Sequence, residues 1–458
     1  MKKSAGILGM TLAAVVALAA DMPLNQRQAR ISPEWVTGGV MYQIQPRAFT
    51  PEGTLKAAEA RLPRLSELGV TVLYLCPVFV ADDDMDQAFW SPRQKKSGMN
   101  NPRNPYRMKD FYHVDPEYGT DQDLKDFVAA AHALELRVML DMVYLHCGPT
   151  AVFIKEHPDF VKRAADGKIE NAGWSFPGLN FASPELREYL WKNMEMWVRD
   201  FGVDGFRCDV SDPIPITFWE TARDRLEKLR PDVGMLAEGS RKADQLKAFD
   251  LGYGWLGQRN GNWTNALSLR QNWEGLRAER PRGGAKFIQF IDNHDIANDH
   301  YSNRLEKQWG PACIQAVLAA LFTLDGVPFL YNGQEVADAA RHSIFGKAPV
   351  DWANGETAAG KARFAFCQKL CALRKAEKAL TQGEVVWLDN DAPEAVLSYL
   401  RTLGDEKILT VVNLTKTPVK VSVKGLGGTF KTLLSDGVKG DAQSGLVLEA
   451  HGYFVGKR

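Results

Sequence analysis

The sequence predicts an α/β fold, a closed (β/α)8 TIM barrel with a small insertion after the third strand and a C-terminal antiparallel β domain. About eight short apolar runs alternate with amphipathic segments up to residue 382, as in parallel strands that helices cover. After residue 382 the pattern changes to short alternating strands separated by turns. An open doubly wound sheet is the alternative, and it is disfavoured because no glycine-rich phosphate loop follows the first strand.

The first three strands and the first two helices precede residue 146. The predicted strands are Val40–Gln45, Thr71–Cys76 and Arg137–Val143. The predicted helices are Leu55–Leu68 and Asp121–Leu134. Thr120 and Asp123 have the spacing of a capping box, which indicates that the second helix begins there.

The segment Pro184–Phe201 carries the clearest helical pattern. Ser183 is a suitable N-cap and proline occupies the first helical position. Its apolar residues recur at the helical period and are Leu186, Leu190, Met194, Trp197 and Phe201. The remaining predicted strands are Gly205–Asp209, Gly234–Glu238, Asp250–Tyr253, Lys286–Ile291 and Val327–Tyr331. The remaining predicted helices are Thr217–Leu229, Ala243–Ala248, Asn265–Glu279, Gly310–Leu324 and Ala358–Lys375.

Two connections after strands, residues 80–112 and 147–182, are long enough to shape a substrate site. The second is predicted to be a small insertion of the B type, so that the barrel comprises residues 21–146 and 183–382. Residues 383–458 are predicted to form the β domain, with strands at Val385–Leu388, Ala395–Arg401, Lys407–Leu414, Pro418–Val423, Thr429–Leu434 and Leu446–Val455. The acidic run Asp82–Asp84 is interpreted as a solvated loop rather than a metal loop.

Composition excludes some classes of partner. The 458 residues have 45% hydrophobic content and a formal net charge of zero, so no nucleic-acid or anionic-membrane partner is expected. The cysteines have no zinc-site spacing and are interpreted mostly as small buried apolar residues. They are Cys76, Cys147, Cys208, Cys313, Cys367 and Cys371.

Residues 1–20 are predicted to be a signal peptide. Lys2 and Lys3 precede the apolar run Gly6–Ala20, which is too short to span a bilayer comfortably. Ala17-Leu18-Ala19 offers a cleavage site with small residues. The mature protein is therefore predicted to be secreted or periplasmic with no stable membrane span, and an uncleaved anchor is the alternative.

Three carboxylates end three apolar strands, where a buried charge is costly unless it serves a purpose. They are Asp209, Glu238 and Asp295. The first two end consecutive strands and should be neighbours, because reactive groups of a barrel gather at the carboxyl ends of its strands. Two carboxyl groups about 5–5.5 Å apart are the arrangement of a retaining glycosidase, in which one attacks the anomeric carbon and the other protonates the leaving oxygen.

Neighbouring residues suggest which carboxylate has which role. Arg207 stands two residues before Asp209 and points to the same side of the strand, so we expect it to lower the pKa of Asp209 and keep this nucleophile ionised. Glu238 has no cation beside it in sequence, so we expect a raised pKa that suits a general acid.

Further polar residues complete the predicted site. Asp295 is expected to accept hydrogen bonds from sugar hydroxyls and to stabilise positive charge on the ring, and His146 and His294 are expected to be uncharged donors to hydroxyls. A lone aspartate beside an arginine is more often a structural ion pair. Several such segments, each at its own strand end, favour a catalytic site instead.

These segments resemble the motifs of glycoside hydrolase family 13, the α-amylase family, from about Gly38 to the C-terminus. The four principal matches are Leu140-Asp141-Met142-Val143-Tyr144-Leu145-His146, Gly205-Phe206-Arg207-Cys208-Asp209, Glu238, and Asn293-His294-Asp295. Supporting matches are Tyr42–Arg47, Tyr106–Asp110, Asp115–Thr120 and Gly326–Glu335. The resemblance implies a barrel, an insertion after the third strand and a C-terminal β domain, in agreement with the reading above.

The resemblance also implies roles. The implied catalytic residues are the nucleophile Asp209, the general acid Glu238 and the transition-state stabiliser Asp295. The implied substrate-binding residues are Tyr106, which stacks on the sugar, His146, Arg207 and His294.

The chain departs from the family pattern in informative places. Leu145 replaces an asparagine that often binds calcium, and Val210–Pro213 replaces A-x-K-H, whose lysine and histidine help to hold leaving-side sugars and, for the histidine, calcium. Gly178 replaces the aspartate of a P-D-L-N motif. Leu145 and Pro213 therefore weaken the usual calcium site, and no metal or other cofactor is predicted. The same changes argue against a typical long-chain endo-amylase.

The predicted function is a retaining α-glucan hydrolase that cleaves α-1,4 or α-1,6 bonds of starch- or glycogen-derived oligosaccharides. An α-glucosidase or a transglycosylase on the same scaffold is an alternative. A non-catalytic glycan-binding relative is a more remote one, which the intact Asp209, Glu238 and Asp295 set argues against. The sequence does not predict an oligomeric state.

Overall fold

The structure is a computed structural model that describes residues 22–257, 263–278, 280–283, 286–299, 304–441 and 445–458. The predicted signal peptide at residues 1–20 lies outside the described residues. Within them, no helix has the length and apolar character that crossing a membrane requires.

Eight parallel strands close into a barrel, as predicted. In chain order the first ten strands are β1 Met41–Ile44, β2 Val72–Leu75, β3 Phe79–Ala81, β4 Met108–Val114, β5 Arg137–Met142, β6 Gly205–Cys208, β7 Gly234–Ala237, β8 Leu251–Tyr253, β9 Lys286–Gln289 and β10 Val327–Tyr331. The barrel order is β1-β2-β5-β6-β7-β8-β9-β10, and β10 pairs with β1 in the register Met41↔Phe329. This closure excludes the open sheet. Strands β3 and β4 form a separate antiparallel pair within the connection after β2.

Alternate strand residues face either the barrel interior or the helices, because side chains alternate across a strand. The interior cluster includes Met41 of β1, Tyr74 of β2 and Met139 of β5. The flanking positions Tyr42 and Leu73 belong instead to the larger cluster that joins the barrel to its helices. Both faces of the strands are buried, which explains why the strands read as continuous apolar runs.

The helices follow the predicted order. They are Glu34–Thr37, Pro46–Phe49, Leu55–Glu59, Leu62–Leu68, Pro92–Lys96, Asp121–Ala133, Pro184–Phe201, Ile216–Leu229, Ala266–Ala278, His294–Asp299, Leu305–Trp309, Pro311–Thr323, Ala358–Ala376 and Lys378–Gln382. The capping box of Thr120 and Asp123 is present, and the Ser183 side chain accepts from the Leu186 amide.

Two helical predictions are corrected. The predicted helix Leu55–Leu68 is two helices, because Pro63 near the start of the second has no N–H to continue the hydrogen bonding of the first. The predicted helix Ala243–Ala248 is only a 3-10 turn at Asp244–Leu246, since the backbone at Lys247 leaves the helical region with φ −140°.

The two long connections flank one another above the barrel. Residues 147–182 contain one short 3-10 turn, Pro158–Phe160, and isolated bridges such as Val161↔Leu179. The interpretation of the acidic run as a solvated loop is wrong for Asp82, which is buried and accepts from the amide and hydroxyl of Thr150, both at 2.8 Å. Asp83 is exposed and pairs with Lys109.

The C-terminal strands form one antiparallel sheet, as predicted. They are β11 Glu384–Trp387, β12 Val396–Leu403, β13 Glu406–Asn413, β14 Val419–Val421, β15 Lys431–Asp441 and β16 Gly445–Lys457. The order is β11-β12-β13-β16-β14, with β15 paired to β16. Tyr399 of β12 anchors this sheet to the barrel through a hydrogen bond of 2.9 Å to the carbonyl of Ala320. All six cysteines are free and buried, in agreement with their interpretation as small apolar residues.

Candidate active site

The predicted carboxylates meet at the carboxyl ends of neighbouring barrel strands. Asp209 follows β6 and Glu238 follows β7, and the register Cys208↔Ala237 places the two residues side by side. They open onto a cavity of about 300 Å³. Its lining residues are Ser91, Arg93, Asn104, Tyr106, His146, Trp174, Phe176, Asp209, Val210, Glu238, Trp255, His294, Asp295, Ile296, Ile344 and Phe345. Aromatic walls around a few charged groups suit a neutral, amphipathic ligand such as a sugar.

Arg207 is the shared cation of the site. Its Nη1 lies 2.8 Å from Asp209 Oδ1 and 2.6 Å from Asp141 Oδ1, and its Nη2 lies 2.7 Å from Glu238 Oε2. Glu238 therefore has a cation beside it that its sequence neighbours do not reveal, which corrects the expectation of an uncharged setting. One guanidinium holds both predicted catalytic carboxylates in a fixed relation.

The pKa of Asp209 is shifted in the direction opposite to the one expected from the sequence. Burial raises the pKa of Asp209 well above its ordinary value; Arg207 opposes the shift and the negative charge of Glu238 adds to it. The expected lowering by Arg207 is therefore present but outweighed. Arg207 is shared among three carboxylates, and its charge does not offset the burial of Asp209.

Asp141 is a site residue that the sequence reasoning placed in a motif without assigning it a role. It is fully buried at the end of β5, and its Oδ2 accepts from the hydroxyls of Tyr74 at 2.6 Å and Tyr106 at 2.9 Å. With its other oxygen on Arg207, it orients the guanidinium toward the cavity. The spacing of the motif was the available signal, since Asp141 stands five residues before His146.

His294 is held in one tautomer by its neighbours. The Gln43 amide nitrogen lies 2.7 Å from Nδ1 and can only donate, so Nε2 carries the hydrogen. Nε2 lies 2.7 Å from the Tyr106 hydroxyl and 3.4 Å from Asp295 Oδ2. Burial lowers the pKa of His294, so the ring is neutral, as expected. The Tyr106 ring stacks on this imidazole at 5.3 Å.

His146 also borders the cavity as a neutral ring, because burial lowers its pKa to about 4. Its Nε2 lies 2.8 Å from the carbonyl of Tyr106, which can only accept, so the hydrogen is on Nε2. Nδ1 has no protein partner among the described residues. Because its Nε2–H is directed at that carbonyl, the expected donation from His146 to a sugar hydroxyl stays a prediction.

Asp295 lies in the first turn of the helix His294–Asp299, six residues after β9 ends at Gln289, so the prediction that it ends a strand is wrong. The Asn293 side chain accepts from the amides of Asp295 at 3.0 Å and Ile296 at 2.8 Å, which fixes the start of the helix. Arg93, from the connection after β2, donates to Asp295 Oδ1 at 2.6 Å. Burial alone would raise the pKa of Asp295, but the Nε2–H of His294, 3.4 Å away, and the charge of Arg93 outweigh it and lower the pKa. Arg93 was missed because it lies 202 residues away in sequence, with no motif around it.

No metal centre is formed by the side chains that the structure describes, since they contain no group of three His, Cys, Asp or Glu residues placed to hold an ion. Leu145 is buried, and Pro213 is exposed at the turn after Asp209. The absence of a cofactor stays a prediction.

Two family models match the chain. The α-amylase catalytic domain matches residues 26–166, and the C-terminal domain of maltogenic amylase matches residues 386–455. The first match contains β1 to β5 and the insertion up to residue 166, and the second covers most of the antiparallel sheet.

Similar proteins align with most of this chain. A cyclomaltodextrinase of a Bacillus species is 27% identical over 443 residues, 83% of this chain and 73% of the relative. An intracellular maltogenic amylase of Bacillus subtilis is 25% identical over 82% of this chain and 68% of the relative. The crystal structure of a maltogenic α-amylase from Thermotoga neapolitana superposes with a TM-score of 0.77 at 25% identity, over 92% of this chain and 99% of that one.

Proposed function

The chain belongs to the α-amylase family of glycoside hydrolases, family 13, and on that premise we propose that it is a retaining α-glucan hydrolase with Asp209 as nucleophile and Glu238 as general acid. The substrates would be starch- or glycogen-derived oligosaccharides with α-1,4 or α-1,6 bonds. The observation that carries the proposal is the sharing of Arg207 by these two carboxylates at adjacent strand ends.

The proposed first step forms a covalent intermediate. Asp209 attacks the anomeric carbon while the bond from that carbon to the glycosidic oxygen breaks, and Glu238 transfers a proton to the departing oxygen. Oε2 of Glu238 accepts from the Val210 amide at 3.0 Å and contacts Arg207, so we assign the transferable proton to Oε1.

The second step reverses these roles. Glu238 takes a proton from water, whose oxygen attacks the anomeric carbon and releases Asp209. The lowered pKa of Asp295 keeps this carboxylate negative, as stabilisation of the oxocarbenium-like transition state requires. Two inversions at the anomeric carbon leave the configuration of the sugar unchanged.

The substrate assignment rests on the relatives and on the neutral cavity. Those relatives carry the names cyclomaltodextrinase, maltogenic amylase and neopullulanase. Trp174 and Phe176 of the insertion flank His146 and provide an apolar wall against which a pyranose ring packs. The carboxylates of the cavity are already paired with arginines, so a cationic ligand is not needed to balance their charge.

The test is product analysis of the purified protein on maltoheptaose, pullulan and soluble starch, with NMR detection of the first-formed anomer. A retaining enzyme releases the α-anomer first, and initial release of the β-anomer would overturn the mechanism. Asp209→Asn and Glu238→Gln should each abolish turnover of these substrates, while the exposed control Asp224→Asn should keep full activity. Glucose as sole product would assign an α-glucosidase, and longer products with added maltose would assign a transglycosylase.

We also propose export of the protein through residues 1–20, from the basic start and the short apolar run that follows it. One relative is named as intracellular, which makes this proposal worth testing directly. Expression of the full chain, cell fractionation and N-terminal mass analysis decide it. A cytoplasmic protein with residues 1–20 intact would refute it.

A further inference from the structure

The segment that follows Glu238 is bound to the segment that follows Asp209. The Asp212 carboxylate accepts from the amide and the hydroxyl of Ser240, both at 2.7 Å, and from the Arg241 amide at 3.1 Å. These bonds join the turns after two neighbouring barrel strands. Both turns lack regular structure, so their geometry depends on such contacts.

Arg241 completes the connection from the opposite side. Its Nη2 donates to the carbonyls of Ser211 at 3.0 Å and Ile214 at 2.8 Å, and also to the carbonyl of Asp212. This one nitrogen links the carbonyls of three residues in the turn after Asp209, so its removal would release all three together. We call the contacts of Asp212 and Arg241 the turn clamp.

Glu238 itself is attached to the same turn. Its carbonyl accepts from the amide of Ser211 at 2.9 Å and from the hydroxyl of Ser211 at 3.2 Å. Gly239 allows the two turns to approach this closely, because a Cβ there would lie 2.2 Å from Asp212 Oδ1. The backbone on both sides of Glu238 is therefore fixed relative to the turn after Asp209.

The residue type at position 212 indicates a structural role for the turn clamp. The resemblance places Asp212 where many α-amylases have a lysine that helps to hold leaving-side sugars. Here a carboxylate stands in its place, and its oxygens are occupied by the backbone and side chain of the neighbouring turn. The position thus serves the geometry of the protein rather than a sugar.

We propose that Asp212 and Arg241 are positioning residues that hold Glu238 at its working distance from the leaving oxygen, which rests on the function proposed above for Glu238. Proton transfer requires heavy atoms within hydrogen-bond reach. A displacement of about 1 Å costs on the order of 10²-fold in rate. Release of the clamp would allow the Glu238 turn to move while Asp209 stays at the end of its strand.

The test compares two substrates that differ in their need for an acid. Maltotetraose has a poor leaving group that must be protonated, whereas α-maltosyl fluoride loses fluoride with little acid assistance. For Asp212→Ala we expect kcat/KM to fall about 10- to 100-fold on maltotetraose, because general acid catalysis contributes on that scale, and to change less than about threefold on the fluoride. This ratio reports the first chemical step, in which the anomeric bond breaks.

Three further variants complete the series. Asp212→Asn keeps one acceptor oxygen and should recover most of the loss on maltotetraose. Arg241→Met removes these donors and should show the same selective loss as Asp212→Ala, and it provides the comparison if Asp212→Ala does not fold. Asp224→Ala, which removes an exposed carboxylate paired with Lys247, should behave as the parent on both substrates. A second readout is the alkaline limb of the pH profile on maltotetraose, which should move when Glu238 is displaced.

The outcomes are distinct. Equal losses of Asp212→Ala on both substrates, or no loss on either, would overturn the positioning role. The reference is Glu238→Gln, which must itself spare the fluoride relative to maltotetraose. If Glu238→Gln loses activity equally on both substrates, the assignment of Glu238 as general acid is wrong. That failure is distinguishable from a failure of the turn clamp, which would appear only in the Asp212 and Arg241 variants.

Discussion

The buried carboxyl of Glu335 makes stability depend on pH. Glu335 lies in a 3-10 turn after β10, is completely buried, and accepts from the Tyr42 hydroxyl at 2.8 Å through Oε1. Its other oxygen has no hydrogen-bond partner among the described residues. Burial raises its pKa to about 7 from the ordinary value of 4.5. The folded protein therefore binds a proton that the unfolded chain releases between these two values.

The sign of the effect follows from this proton balance. Between pH 4.5 and about 7 the folded state holds more protons than the unfolded state, so the free energy of unfolding falls as pH rises through this window. The shift corresponds to about 3 kcal/mol, with one pKa unit taken as about 1.4 kcal/mol. Below pH 4.5 the penalty vanishes, because the carboxyl is neutral in both states.

The perturbation is Glu335→Gln, an uncharged mimic of the protonated carboxyl that keeps an acceptor for Tyr42. We expect this variant to gain about 3 kcal/mol relative to the parent between pH 4.5 and 8. Urea unfolding followed by tryptophan fluorescence at five pH values measures the difference, and subtraction cancels the other titrating groups. Glu356→Gln removes a carboxylate with 81% of its side chain exposed and should give no pH-dependent difference. Parallel profiles of Glu335→Gln and the parent would refute the burial argument.

Three other predictions concern the active site. Arg207→Lys should reduce kcat on the order of 10²-fold, because one ammonium cannot span Asp209 and Glu238 together, and steady-state kinetics on maltotetraose measures it; near-parent kcat would contradict the shared-cation arrangement. Arg93→Met should move the acidic limb of kcat/KM to higher pH, since Asp295 loses a neighbouring cation that lowers its pKa, and an unmoved limb would show that Arg93 does not control this carboxylate. Activity after dialysis against EDTA should equal that of the untreated protein, and restoration of a lost activity by calcium alone would reveal a calcium site.

Much of the barrel follows from local sequence, because helices and strands have different periods and because strands covered on both faces are apolar throughout. Strand ends could also be located, which placed Asp209, Glu238 and Asp295 at one edge of the sheet. Proline 63 shows the limit of this approach: the apolar pattern continues from Leu55 to Leu68, while the missing amide divides the helix.

Charge environments, in contrast, depend on contacts between distant segments. Arg207 was expected to serve Asp209 alone and to lower its pKa; burial outweighs that effect, and Glu238 across the β6–β7 boundary adds to the rise. Sequence neighbours do not reveal how much water reaches a group or which cation reaches across a cavity. The contact of Arg93 with Asp295 likewise joins two segments that are distant in sequence.

The sequence by itself thus determines which carboxylates follow the barrel strands and in which order, because local sequence determines where each strand ends. Their working arrangement is not, because it is set by long-range packing: the closure of β10 onto β1, the burial of Asp141 beneath Arg207, and the bonds between the turns after β6 and β7. These contacts join residues that are distant in sequence. Their energies depend on distances that are established only after the barrel has closed.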